Sequence, residues 1–142
     1  MTKHENNYAP MPQGKYHPAT RHNGIIYTSG MTPRQGGAIT QTGKLTNKCF
    51  NMYKEPVEQA TFNALVAAQS LLVENEVIKK VLMLKVYINT TNDFKNHSSI
   101  ADFASEYLSE IMGAAVLGSR VSIGVSSLPG DAPVEIYIIA AI

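Results

Sequence analysis

Two stretches near the C-terminal end of this 142-residue chain decide its fold: residues 118–125 read GSRVSIGV, and residues 134–139 read VEIYII. In each stretch apolar residues recur at every second position, which is the period of a β-strand. The connection between them contains LPGDAP at residues 128–133, and its prolines and glycine favour a turn. The pattern predicts an antiparallel hairpin.

The predicted hairpin also fixes which side chains share a face of the sheet. If the valine and isoleucine rows of both strands pack on one core, Arg120 and Glu135 emerge together on the opposite face, because a one-residue slip would bury Glu135. Arginine suits a bidentate grip on a carboxylate, and glutamate can hold or activate a water. The structural alternative is that Arg120 and Glu135 form a cross-strand ion pair without a catalytic role.

Upstream, the chain shows further strand and helix patterns. Strands are predicted over residues 16–22 and 24–30, with a turn at Asn23-Gly24 between them. A long segment from Met31 to Tyr53 follows, with a short strand near residues 38–40. A loop of this length in a small domain is usually functional or mobile.

Two amphipathic helices flank a third long strand. The first is predicted over residues 55–75, with a stripe of small and aliphatic residues that suits close packing on a sheet. The strand covers residues 78–89, and its two-residue alternation places Leu82 and Leu84 on the same face. The second helix covers residues 99–112, with Ser99 and Asp102 as a variant capping box.

The order β-β-(β)-α-β-α-β-β predicts an α+β fold in which both helices cover one face of a single sheet. The other face is too apolar for a solvated surface, so we expect a homo-oligomer; its residues include Met83, Tyr87, Tyr137 and Ile139. All 142 residues are expected to form one domain, with residues 1–14 as a loose N-terminal arm.

Composition narrows the function classes. A net charge of +1 gives no field that would favour nucleic acid, and the chain has neither a signal peptide nor a run of about 18 apolar residues, so a soluble cytoplasmic protein is expected. Cys49 is the only cysteine, lies in a polar loop without a nearby histidine, and does not indicate a nucleophile. The histidine spacing predicts no metal site.

Several motifs together resemble the Rid family, the YjgF-like reactive intermediate deaminases, over residues 16–142. They are IYTSGM at 26–31, VYIN at 86–89 followed by Asp93-Phe94, SRV at 119–121, LP at 128–129 and VEI at 134–136. The resemblance implies a chorismate-mutase-like fold and a homotrimer with active sites in the clefts between subunits. It also implies hydrolysis of reactive 2-imino and 2-enamino acids, such as 2-aminoacrylate, to 2-keto acids and ammonia, with no cofactor.

By matching position, the resemblance assigns a role to each candidate site residue. Arg120 would bind the substrate carboxylate and Glu135 would position or activate the attacking water. The remaining substrate-binding candidates are Tyr16, Ser29, Gly30, Asp102 and Ser122.

Two of these residues depart from the family pattern. Ser122 stands where family members often have cysteine, and Asp102 stands nearest to a family asparagine. The segments at 31–53 and 95–100 are also longer than in the shortest family members. With these features the chain resembles a longer, less characterised branch of the family. Two alternatives remain: a protein that binds small carboxylates without turnover, and a ribonuclease or translation inhibitor, which the near-neutral charge and the lack of a histidine pair disfavour.

Overall fold

A computed structural model of the chain, which describes residues 10–48 and 50–142, shows a mixed α+β fold. Its elements are β1 Ala19–His22, β2 Ile25–Thr28, β3 Arg34–Gln35, β4 Ala38–Ile39, α1 Lys54–Gln69, β5 Lys80–Asn89, α2 His97–Met112, β6 Ser119–Val125 and β7 Val134–Ala141. Five strands form one sheet in the order β1-β2-β7-β5-β6, and β3 pairs with β4 separately. The β5–β6 pair is parallel and the other pairs are antiparallel, so the predicted mixed α+β architecture is confirmed.

Both helices cover the same face of the sheet and form the core with it. In β7, every second residue from Val134 to Ala140 is fully buried. The fully buried alanines of α1, among them Ala60 and Ala64, lack long side chains and so let the helix approach β7 closely. The small residues of the sequence pattern therefore mark the helix surface that contacts the sheet.

The predicted hairpin between the last two strands is wrong. Strand β5 lies between β6 and β7, parallel to β6 and antiparallel to β7. The connection between β6 and β7 is long enough to pass over the end of β5, so strands that are adjacent in sequence do not pair.

Arg120 and Glu135 consequently lie on opposite faces of the sheet, which corrects the prediction that they share one. Arg120 is in register with the buried Leu84, whereas Glu135 is in register with Tyr87 on the uncovered face. Adjacent residues of β5 alternate between faces, and an odd step separates Leu84 from Tyr87. The prediction failed because it assumed that the Val/Ile row of β6 faces the core.

The helix boundaries also differ from those predicted. Helix α1 ends at Gln69, six residues before the predicted end, and Leu71 and Leu72 pack against the core from the following turn. Helix α2 begins at His97, and its N-cap Asn96 makes no side-chain cap hydrogen bond. The predicted Ser99–Asp102 capping box is therefore wrong.

A register shift between Val81 and Met83 changes the pattern of β5. Val81 is buried in the core, while Leu82, which was expected to share the Leu84 face, is 40% exposed. The irregularity inverts the alternation at this end of the strand.

The uncovered face of the sheet is apolar at its β6 edge. Val121 and Ile123 are 38% and 43% exposed, and the Lys85 ammonium lies 5.4 Å from the centre of the Tyr137 ring. Among the described residues, no helix is long and apolar enough to cross a membrane. Cys49 and residues 1–9 of the expected arm lie outside the described residues.

Candidate active site

The first group of predicted site residues lies just after the end of β2, beside β7. Two backbone hydrogen bonds join Met31 and Ile136, with N–O distances of 2.7 and 2.8 Å. They hold the preceding residue, Gly30, directly against Glu135. A β-carbon placed on Gly30 would lie 2.8 Å from Cδ and 2.9 Å from Oε1 of Glu135, so only glycine leaves room for this carboxyl group.

Glu135 is half-buried on the uncovered face, and burial raises the pKa of its carboxyl group. A low-dielectric environment disfavours the ionised form of an acid. Glu135 therefore holds its proton to a higher pH than an exposed glutamate does, which suits proton exchange with a bound water or a leaving amine.

Two further candidates, Tyr16 and Ser29, lie beside Gly30. Tyr16 and Gly30 line the same small cavity of about 30 Å³. The Ser29 hydroxyl donates to the carbonyl of His17 at 2.6 Å, and its amide donates to the carbonyl of Pro18 at 2.8 Å. The Ser29 hydroxyl thus has a local structural partner. We call Tyr16, Ser29, Gly30 and Glu135 the glutamate half-site.

The second group forms between β6 and α2, on the helix-covered side of the sheet. Arg120 Nη1 donates to Asp102 Oδ1 at 2.7 Å and to the Ser105 hydroxyl at 3.0 Å. Its Nη2 donates to the Ser98 hydroxyl at 2.9 Å and to the Ser98 carbonyl at 3.3 Å. The carboxylate partner of Arg120 is therefore Asp102, so the alternative of an Arg120–Glu135 ion pair is wrong.

Ser122 belongs to the same row, because it follows Arg120 by two residues on β6 and is in register with the buried Val86. Gly124 completes the row beneath His97, whose Nε2 would lie 2.6 Å from a β-carbon on that glycine. We call Ser98, Asp102, Ser105, Arg120 and Ser122 the arginine half-site.

The two half-sites do not meet within one chain. Glu135, Tyr87 and Ile123 are in register across β7, β5 and β6, so two strand spacings, about 10 Å, separate Glu135 from β6. The side chains also point away from opposite faces of the sheet. A single small ligand that contacts both Arg120 and Glu135 needs one half-site from each of two copies.

Sequence reasoning missed two members of the arginine half-site and one residue beside it. Ser98 and Ser105 hold the guanidinium group, and His97 covers Gly124. A signal was present, since Ser98, Asp102 and Ser105 follow the i, i+4, i+7 spacing of one helix face. That face became recognisable only once β6 was placed beside it.

Residues 6–142 match the model of the family described as Endoribonuclease L-PSP. The chain belongs to this family. The match confirms the resemblance to YjgF-like proteins found in the motifs, since this family includes the YjgF and RutC proteins.

Individual relatives and solved structures resemble the chain over nearly its whole length. It is 33% identical to a RutC family protein of Aquifex aeolicus over 132 residues, which are 93% of this chain and 92% of the relative. Atu1372 of Agrobacterium tumefaciens, a protein of unknown function, superposes with a TM-score of 0.84 at 25% identity over 93% of this chain and 85% of its own. E. coli TdcF with bound serine shares the fold, with a TM-score of 0.70 and 22% identity over 97% of this chain and 96% of the TdcF chain.

Proposed function

We propose that the protein is a hydrolytic deaminase of reactive 2-imino and 2-enamino acids, which it converts to 2-keto acids and ammonia. The observation that carries the proposal is the combination of an arginine held between β6 and α2 with a half-buried glutamate whose pKa is raised, both at positions that match the family motifs. The guanidinium group of Arg120 suits the carboxylate common to these substrates, and the carboxyl group of Glu135 suits the transfer of protons during hydrolysis.

The proposed site lies between two copies of the chain, in a homotrimer. Arg120 from one copy and Glu135 from another would face one ligand, because neither can reach the other within a copy. The apolar uncovered face supports such an assembly, because Val121 and Ile123 are exposed in a single copy and contact between copies would bury them.

In the proposed reaction, a water held by ionised Glu135 attacks the carbon of the protonated imine while Arg120 orients the substrate by its carboxylate. The water oxygen bonds to carbon, the π electrons of the carbon–nitrogen double bond move to nitrogen, and one water proton passes to Glu135, so that a neutral carbinolamine forms. Glu135 then returns this proton to the nitrogen, the carbon–nitrogen bond breaks, ammonia leaves, and the hydroxyl proton passes to the ionised Glu135 to give the keto acid. Positioning suffices for much of the acceleration, because imines already hydrolyse in water.

The test is the release of 2-keto acid from freshly generated 2-imino acids. Wild-type protein should accelerate release, and Arg120→Ala should abolish the acceleration. Arg21→Ala is the matched control, because Arg21 pairs with Glu76 away from both half-sites and should leave the rate unchanged. No acceleration by folded, oligomeric wild-type protein would overturn the deaminase proposal, and ligand binding without turnover would establish the carboxylate-binding alternative in its place.

Mixed oligomers test the shared site. Arg120→Ala copies, which are inactive alone, and Glu135→Gln copies, which retain only a small residual rate, are unfolded, mixed in equal amounts and refolded together. If every site takes its arginine and its glutamate from different copies, about one quarter of the sites regain both groups. Recovery of no activity would contradict a site between copies. RNA cleavage measured on the same samples addresses the ribonuclease alternative, which predicts cleavage by the wild type.

A further inference from the structure

The hydrogen bonds of Arg120 leave little of its guanidinium group for a ligand. An arginine offers five N–H donors, and four of those of Arg120 are taken by Ser98, Asp102 and Ser105. Among the described residues only the Nε–H lacks an acceptor. A ligand carboxylate that accepts from Nη1 or Nη2 therefore has to displace one of the present acceptors.

Asp102 is the acceptor that a carboxylate replaces most directly. It is the only charged partner of Arg120 within the described part of the chain, and it binds through one oxygen, Oδ1. Its side chain is 56% exposed, whereas that of Arg120 is 22% exposed. Asp102 can therefore turn toward solvent while the two serines keep the guanidinium group in place.

Displacement by a simple anion is electrostatically unfavourable. The Arg120–Asp102 pair has no net charge, so it exerts little attraction on a carboxylate from outside. Once displaced, Asp102 would carry an uncompensated negative charge beside the bound anion, and like charges at this distance repel.

A ligand that carries both charges avoids this cost. Its carboxylate takes the place of Asp102 on Arg120, and its cationic nitrogen, two bonds from the carboxyl carbon, supplies a new partner for Asp102. Protonated 2-imino acids and α-amino acids have this form, but 2-keto acids do not.

We infer that Asp102 recognises the cationic nitrogen of the ligand and makes the arginine half-site selective for zwitterionic imino and amino acids over keto acids. The identity of the imino acid as substrate rests on the proposed function, whereas the preference itself is a property of binding. Selectivity of this kind also favours product release, because a keto acid product has lost the nitrogen that Asp102 holds.

The experiment compares L-2-aminobutanoate and 2-oxobutanoate by isothermal titration calorimetry on the full-length oligomer. The two probes share the carboxylate and the ethyl group and differ at C2, which carries an ammonium group in the first and a carbonyl oxygen in the second. Wild type should bind the amino acid about tenfold more tightly, the ratio that one charge-assisted contact supports. Asp102→Asn keeps an acceptor for Arg120 but loses the charge. It should therefore weaken the binding of the amino acid by about tenfold and strengthen the binding of the keto acid.

Ser105→Ala is the matched control, because it removes a neutral partner of the same guanidinium nitrogen. It should change the affinities of both probes by the same factor. If Asp102→Asn lowers the affinity for both probes by the same factor, the inference is overturned and Asp102 only positions Arg120. The inference is also overturned if wild-type protein binds both probes equally well or binds neither.

The outcomes separate this inference from the proposed deaminase activity. A wild-type preference for the amino acid that Asp102→Asn removes, without turnover of any imino acid, supports the role of Asp102 and overturns the deaminase. Turnover without such a preference supports the deaminase and overturns the role of Asp102.

Discussion

Replacing Gly30 with alanine tests whether the position of the Glu135 carboxyl group governs activity. The added methyl carbon would lie 2.8 Å from Glu135 Cδ, about 0.7 Å inside the separation of about 3.5 Å at which carbon atoms make favourable contact. Gly30 does not have a positive φ, so the backbone accepts alanine without strain. The substitution therefore acts by pushing the end of the Glu135 side chain away.

The two expected effects differ in size. Displacing a catalytic group by about 1 Å costs up to about a hundredfold in rate, so a shift of about 0.7 Å should lower kcat/KM by roughly ten- to a hundredfold. The loss of stability should stay within about 1 kcal/mol, because the contacted atoms belong to a side chain that can move and alanine restricts the unfolded chain.

The assay measures keto acid release and urea-induced unfolding for Gly30→Ala beside Gly24→Ala. Gly24 lies in the β1–β2 turn, where a methyl carbon added to it would meet no atom within 4 Å, so its alanine variant should match wild type in both measurements. A double mutant then tests the route of the effect. If Gly30→Ala lowers activity by the same factor in a Glu135→Gln background, the two residues act independently and the reasoning is refuted.

Three further predictions concern stability. Gly118→Ala would place a methyl carbon against the carbonyl oxygen of Val81, a backbone atom that no rotamer change can move, and should cost about 3 kcal/mol in urea unfolding; a loss below about 1 kcal/mol would contradict the packing. The hydrogen-bonded ion pair with Arg21 lowers the pKa of Glu76 to about 2, so its stabilisation is present above the ordinary value of 4.5 and is lost as pH falls toward 2; Arg21→Gln should therefore flatten the stability curve over this range. Burial raises the pKa of Glu135, so the stability linked to its protonated form is present at low pH and lost as pH rises through the raised value; unfolding measured against pH should lack this decrease in Glu135→Gln.

Much of the fold could be predicted because local periodicity reports secondary structure directly. Every second residue of β7 is buried, and the small-residue stripe of α1 faces the sheet, as their patterns predict. The overlap of motifs with a known family likewise identified the candidate residues, since their chemical types and spacing are properties of the chain itself.

Strand β6 shows where this information ends. Its Val121 row was assigned to the core, yet both faces of the strand are partly exposed, because it lies at the edge of the sheet. Either orientation satisfies a two-residue alternation when neither face is fully buried. The orientation is chosen instead by Ser98, Asp102 and Ser105 of α2, which supply acceptors for Arg120 on the helix side.

The sequence by itself determined the types and order of the elements apart from β3, the covering of one sheet face by two helices, and the residues that carry the proposed chemistry. Only the tertiary structure decided that β5 separates β6 from β7, that Arg120 pairs with Asp102, and that Glu135 lies on the other face. The physical reason is that the pattern of one strand fixes its alternation, whereas its partner and its facing depend on contacts with residues distant in sequence.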